Sequence, residues 1–162
     1  MENYEIFDAC RTGDVATVEN LCRANPSLVN ATDQKGFTPL IIAAYNNQPE
    51  VVRFLLANGA DVNVQDGAGN TALMGVAFKG YTAIAKSLVE AGANVDARNS
   101  NGAPALTFAA TFGQLEIAEM LLQKGADMFL PDSRGKTSLD HAIIQENEPM
   151  IELIERYIPP AY

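Results

Sequence analysis

The sequence predicts a solenoid of stacked helical units, and three sets of residues carry that prediction. Gly36, Gly69, Gly102 and Gly135 are spaced 33 residues apart. Leu40, Leu73, Leu106 and Leu139 keep the same interval, as do Gly59, Gly92 and Gly125. Independent residue types locked to one register mark a repeated supersecondary unit that buries its core only by stacking on its neighbours. Such a scaffold offers an extended recognition surface and rarely a catalytic cavity.

Composition agrees. The 162 residues are 48% apolar, hold no Trp and are only 7% aromatic. That is enough for one array and too little for two sizeable domains. A core of Ala, Leu, Ile and Val suits closely packed helices. A net charge of −9 and a pI near 4.5 argue against general affinity for nucleic acid or anionic membranes. The acids gather at the ends: Glu2, Glu5, Asp8, Asp14 and Glu19 in the first stretch, Asp140, Glu146, Glu148, Glu152 and Glu155 in the last. Terminal repeats need soluble outer faces, which accounts for this placement, with recognition of a basic partner as the other account. The first five residues have neither a basic start nor an apolar run, so no secretory signal is expected. The longest apolar runs fall far short of a membrane span, and a soluble cytoplasmic protein is expected.

The units follow in order. The first, 4–32, pairs an I-F-D-A-C-R-T-G-D helix with a V-E-N-L-C helix and carries one extra residue around Asn25-Pro26-Ser27. Cys10 and Cys22 sit where later units place small or apolar core residues, and their spacing fits no common metal or redox motif. Buried free thiols are expected. In the second unit, 33–65, Thr38 should cap the first helix with Pro39 just inside it, a role Thr71 and Thr137 repeat later. Ala43, Ala44, Ala77, Ala109 and Ala110 allow close helix approach. The second helix should bury Val51, Leu55 and Leu56, repeated as Ile84, Leu88, Val89 and as Ile117, Leu121, Leu122. Gly59, Gly92 and Gly125 should end these helices in the left-handed conformation.

The third unit, 66–98, places Gly75 inside its first helix, at a cost of roughly 1 kcal/mol against Ala. The fourth, 99–131, has Pro104 where a capping Thr is expected, so the middle of the array should be softer than a regular stack. The fifth, 132–158, puts Glu155 where Leu56, Val89 and Leu122 stand in the others, and Arg156-Tyr157-Ile158 replaces the glycine turn. Both changes suit an outer face with no following repeat.

The segments D-Q-K-G-F-T-P-L-I-I-A-A (33–44) and V-V-R-F-L-L-A-N-G-A-D-V-N (51–63), with their counterparts one and two periods on, resemble the ankyrin repeat. The resemblance covers nearly the whole chain. It implies an all-α ankyrin-repeat solenoid of helix-turn-helix units with short β-hairpin connections. The chain then forms one domain, 1–162, of five units: three internal and two capping.

Chemistry is harder to find. His141 is the sole histidine, and Ser138, Asp140 and His141 are neighbours on one short helix, where a nucleophile–base–orienter triad cannot form. One His and two buried Cys cannot build a zinc site. Gly67-Ala68-Gly69 lacks the Lys and Ser/Thr of a phosphate loop. Glu116 and Glu119 read as solvated helix charge. No catalytic residue, metal site or cofactor is expected, and the chain is not read as an enzyme.

The resemblance places partner binding on the hairpin tips and the exposed ends of the first helices, the concave side of the family. Carried onto this chain, those positions include Arg11, Lys35, Phe37, Tyr45, Phe78, Lys79, Arg98, Phe112, Arg134 and Lys136. Their charges are all basic in a chain that is acidic as a whole, and aromatic and Arg side chains anchor protein interfaces. The competing account is that Asp33, Asp66 and Asp132 offset this field and that Tyr45 or Phe78 tucks beneath a neighbouring helix. The expected function is a non-catalytic, monomeric protein–protein interaction module. Its partner would present an acidic or mixed apolar–acidic face. The alternative is a dedicated inhibitor, immunity or accessory protein of a single enzyme or toxin.

Overall fold

The computed structural model describes residues 4–160. Residues 1–3 and 161–162 lie outside them, and with them Glu2 and part of the segment read as lacking a secretory signal. Among the described residues, ten α-helices form five antiparallel pairs: α1 Tyr4–Thr12 with α2 Val15–Ala24, α3 Pro39–Tyr45 with α4 Pro49–Ala57, α5 Ala72–Lys79 with α6 Thr82–Glu90, α7 Ala105–Phe112 with α8 Leu115–Gln123, and α9 Ser138–Ile144 with α10 Glu148–Arg156. The odd-numbered helices stack on one another in one layer and the even-numbered helices in a second. None exceeds ten residues, too short for independent stability, so the stack itself must hold them. No helix among the described residues is long and apolar enough to cross a membrane.

The core follows the register. Ala43, Ala44, Ala77, Ala109 and Ala110 are fully buried between odd helices, and Val51, Leu55, Ile84, Leu88, Ile117 and Leu121 are buried from the even ones. Leu56 and Val89 are only half-buried, whereas Leu122 is buried; Glu155, their counterpart in the last unit, is exposed. The extra residue of the first unit is absorbed by a 3-10 helix, Pro26–Asn30, capped by the Asn25 side chain accepting from Ser27 N–H. Cys10 and Cys22 are buried and unpaired beside it.

Helix starts are set as the sequence predicts. Thr38 Oγ1 accepts from Ile41 N–H at 3.1 Å and Thr71 Oγ1 from Met74 N–H at 3.2 Å. Thr137 and Asp140 cap reciprocally, each side chain accepting the other's backbone N–H. Pro104 supplies no side-chain cap, and the nearby Thr107 hydroxyl is buried without a hydrogen-bond partner among the described residues. Among α3, α5, α7 and α9, α7 alone starts without a side-chain cap.

Gly59, Gly92 and Gly125 have φ of 90°, 95° and 82°, the expected left-handed stops. A second left-handed position separates the two helices of every unit: Gly13, Asn47, Gly80, Gly113 and Glu146 all have positive φ. Only three are glycine, so composition hides this site. Asn tolerates the conformation through its short polar side chain, while Glu146 accepts strain there.

Two rows of hydrogen bonds bind unit to unit. At the tips, Asp33, Asp66, Asn99 and Asp132 each use Oδ1 to accept two backbone N–H groups, two and four residues ahead. The tips then link: Gly67 N–H donates to Lys35 O, Ser100 N–H to Ala68 O, and Ser133 N–H to Asn101 O. These connections are bonded turns, and no strand forms among the described residues. At the opposite edge, Asn30, Asn63 and Asp96 accept from the N–H of Asp61, Asn94 and Asp127 in the next unit. The row stops at the fourth unit, where Phe129 stands in place of the acceptor and Pro160 in place of the donor.

Candidate functional site

The ends of the odd helices and the turn tips form one continuous face, and three aromatic rings run along it. Tyr45 closes α3, Phe78 lies near the end of α5, and Phe112 closes α7. Tyr45 and Phe78 stack at 6.5 Å between centroids with a 10° interplanar angle. Phe78 meets Phe112 edge-to-face at 4.6 Å and 76°. All three stay substantially exposed, at 43%, 36% and 49%. They pack on one another instead of disappearing beneath a helix, so they stabilise themselves and still present an apolar strip.

Beside the strip lies a groove of about 460 Å³ between α3 and α5. Its walls are Phe37, Ile41, Tyr45, Met74 and Phe78, and Gly75 lies among them. Arg11 stands at the helix end of this groove and Asp66 at the turn end. Phe37 is half-buried against the core, so it belongs to the groove wall more than to the exposed tip.

The bases divide into two groups. Arg11 is paired with Asp8 at 2.7 Å on an exposed surface. Arg98 is committed to backbone: Nε donates to Gly102 O at 2.9 Å and a terminal nitrogen donates to Pro131 O of the next unit. Gln65 makes the same inter-unit bond to Arg98 O one repeat earlier. Lys79 lies over the Tyr45 ring with Nζ 4.8 Å from its centroid, a cation–π contact. Lys35, Lys79, Arg134 and Lys136 form no ion pair among the described residues. The turn aspartates are less available than their sequence positions suggest, since Oδ1 of each is held by two backbone donors.

The sequence located the ring positions and missed the groove. Ile41 and Met74 look like ordinary core, and Gly75 looks like a defect. Their signal is a register break: Ile42, Gly75, Phe108 and His141 share one repeat position, and one of them has no side chain.

The residues that could have suggested catalysis are engaged in structure. Ser138 Oγ donates to Met128 O, and Asp140 caps α9. His141 Nε2 lies 2.8 Å from Asp132 Oδ2, an acceptor-only carboxylate, so the imidazole donates there. Burial pushes the Asp132 carboxyl upward, but the His141 bond and the backbone donors of Lys136 and Arg134 outweigh it and hold the group below its usual value. No cluster of three or more metal-ligating side chains occurs among the described residues.

Comparison with known sequences gives the same pattern. Residues 21–74 match a profile described as ankyrin repeats (many copies), and residues 73–158 match one described as ankyrin repeats (3 copies). A 44-residue segment, 27% of this chain, is 46% identical to part of the NAD-capped RNA hydrolase NUDT12 of Homo sapiens and of Macaca fascicularis. A 57-residue segment, 35% of this chain, is 37% identical to part of BTB/POZ domain-containing protein 3 of Schizosaccharomyces pombe. These segments span only 10% and 11% of those proteins. With the second profile alone covering more than half of its length, this chain belongs to the ankyrin repeat family.

Proposed function

We propose that this chain is a non-catalytic binding module that captures a protein partner on the face made by its turn tips and first-helix ends. The observation carrying this reading is the contiguous ladder of Tyr45, Phe78 and Phe112, exposed across three successive units. Exposed aromatics that touch one another are already immobilised, so a partner covering them loses little further side-chain entropy. Lys35, Lys79, Arg134 and Lys136 lie on this face without carboxylate partners among the described residues, which favours an acidic or mixed apolar–acidic surface on the other protein. Arg98 is better read as a stitch between units than as a contact residue.

The test is a matched set of substitutions read by affinity and by thermal melting. Tyr45→Ala with Phe78→Ala should weaken capture by about 2 kcal/mol or more. Lys79→Glu should slow association, whereas Lys86→Glu with Lys124→Glu on the even helices should leave binding nearly unchanged. Equal losses from both charge sets would reduce the effect to general electrostatics, and losses from the even-helix set alone would refute the assigned face.

A further inference from the structure

We propose that the groove over Gly75 is a socket for one large apolar side chain of the partner, flanked on one side by a carboxylate of the same segment. This rests on the binding-face reading above and adds the chemistry of what binds.

The socket exists because a side chain is missing. Ile42, Gly75 and Phe108 occupy the same position in α3, α5 and α7, and both flanking residues line the groove with Gly75 between them. The ring of Tyr45 fills part of the gap, since an added Cβ at Gly75 would come within 3.1 Å of Tyr45 Cδ1. The rest stays open. A glycine at this point weakens α5 by roughly 1 kcal/mol against Ala, and its backbone needs no positive φ that would call for glycine. Backbone conformation therefore gives no reason for it, and the space it frees is shared between the Tyr45 ring and the open socket.

The walls set the class of occupant. Ile41 and Met74 are buried at the base, and Phe37, Tyr45 and Phe78 rise around them. Such a lining favours an aromatic or long aliphatic group, and Met adapts its shape to either. The charges set the polarity. At the turn end stands the carboxylate of Asp66, with Oδ1 held by Ala68 and Asn70 N–H. At the helix end, Lys79 lies over the Tyr45 ring and forms no ion pair among the described residues, with Arg11 nearby and already paired to Asp8. A carboxylate next to the inserted side chain is attracted toward Lys79 and repelled from Asp66. Beyond the socket, the surface runs on over Phe78 to Phe112, so it fits a length of polypeptide better than an isolated small molecule. The occupant is a protein segment in which a Phe, Tyr, Trp, Leu or Met stands within two residues of an Asp or Glu.

A library of random linear peptides displayed on phage, selected against the full-length protein, tests this. The expected result is a consensus with a large apolar residue and an adjacent acid. Its synthetic peptide should lose about tenfold in affinity on Gly75→Met, which fills the socket, and about threefold or more on Lys79→Glu. Gly75→Met should melt within a few degrees of the parent, because its better helix propensity offsets the crowding of the Tyr45 ring. If that variant fails to fold, Lys79→Glu and Lys79→Gln decide on the same peptide, because this exposed side chain lies outside the core, and Lys79→Gln shows how much of the loss comes from its contact with the Tyr45 ring. A basic consensus, unchanged affinity on Gly75→Met, or no enrichment overturns the socket. Peptides insensitive to Gly75→Met but lost on Phe112→Ala with Arg134→Glu would leave the broader binding face standing without it. Peptides insensitive to every one of these substitutions would remove both.

Discussion

Tyr45 of the second unit lies against Gly75 of the third, so close that a single added carbon would come within 3.1 Å of its Cδ1 atom. Gly75→Ala should consequently change stability by less than about 0.5 kcal/mol, since gained helix propensity meets a crowded ring. In a Tyr45→Ala background the same substitution should gain roughly 1 kcal/mol. A double-mutant cycle by urea denaturation measures the difference, and strict additivity would show that the contact has no energetic consequence.

The glycines that end the even helices should behave differently from those of the turn tips. A Cβ at Gly92 meets nothing within 4 Å, so Gly92→Val costs only the left-handed backbone penalty, somewhat more than about 1 kcal/mol. A Cβ at Gly69 would approach Ser100 N at 2.8 Å and Asn99 Cα at 3.0 Å, both main-chain atoms of the next unit. Gly69→Ala should therefore cost about 2 kcal/mol or more, even though Ala is the smaller residue. Thermal melts that rank the two the other way would contradict the inter-unit packing at the tips.

Thiol chemistry should be slow in the native state. Burial, reinforced by the neighbouring Cys22 and partly offset by Arg11, pushes the Cys10 thiol up to about 12. Burial raises Cys22 as well. Little reactive thiolate exists near neutral pH. Labelling by a chromogenic disulfide should be slow in buffer and complete within moments in denaturant, whereas rapid native labelling of both would show that the first unit opens readily.

Acid should loosen the last unit through Asp132. Its carboxyl is held below the ordinary value of 3.8 in the folded chain, so its contribution is fully present above the unfolded value and fades as pH falls through the folded one. Asp132→Asn keeps the acceptor for the turn, as Asn99 does in the fourth unit, and removes the titration. Denaturation between pH 5 and pH 2 (a range set by the ordinary carboxylate near 3.9) should show a shallower loss in the variant. Parallel curves would assign the acid sensitivity elsewhere.

Much of this architecture was readable from the repeat register. Thr38, Thr71 and Thr137 announce their caps, and the buried Val, Leu and Ile of the even helices follow helical spacing, with Leu56 and Val89 less covered than the pattern suggests. The exposed rings were legible as types at positions, but their mutual stacking depends on distances between units. The groove was hidden because it is made by an absence at residue 75 and by walls drawn from two units. The bonds of Arg98 were hidden for a related reason: a guanidinium at a turn reads as surface charge, and only the fold brings Pro131 O within its reach. The left-handed residues Asn47 and Glu146 escaped because they are not glycine.

The break in the second row of hydrogen bonds gives the solenoid a direction of failure. The second, third and fourth units are fastened to one another along both edges, whereas the fifth lacks the second-edge bond, because the Phe129 side chain cannot accept and Pro160 cannot donate, and is held by its tip, by Ser138 Oγ donating to Met128 O and by helix packing. With one hydrogen bond fewer at that margin, α9 and α10 should swing away before the inner units open. Amide exchange should sweep inward from that end, and a pulling force applied there should peel the array unit by unit instead of breaking it at its middle.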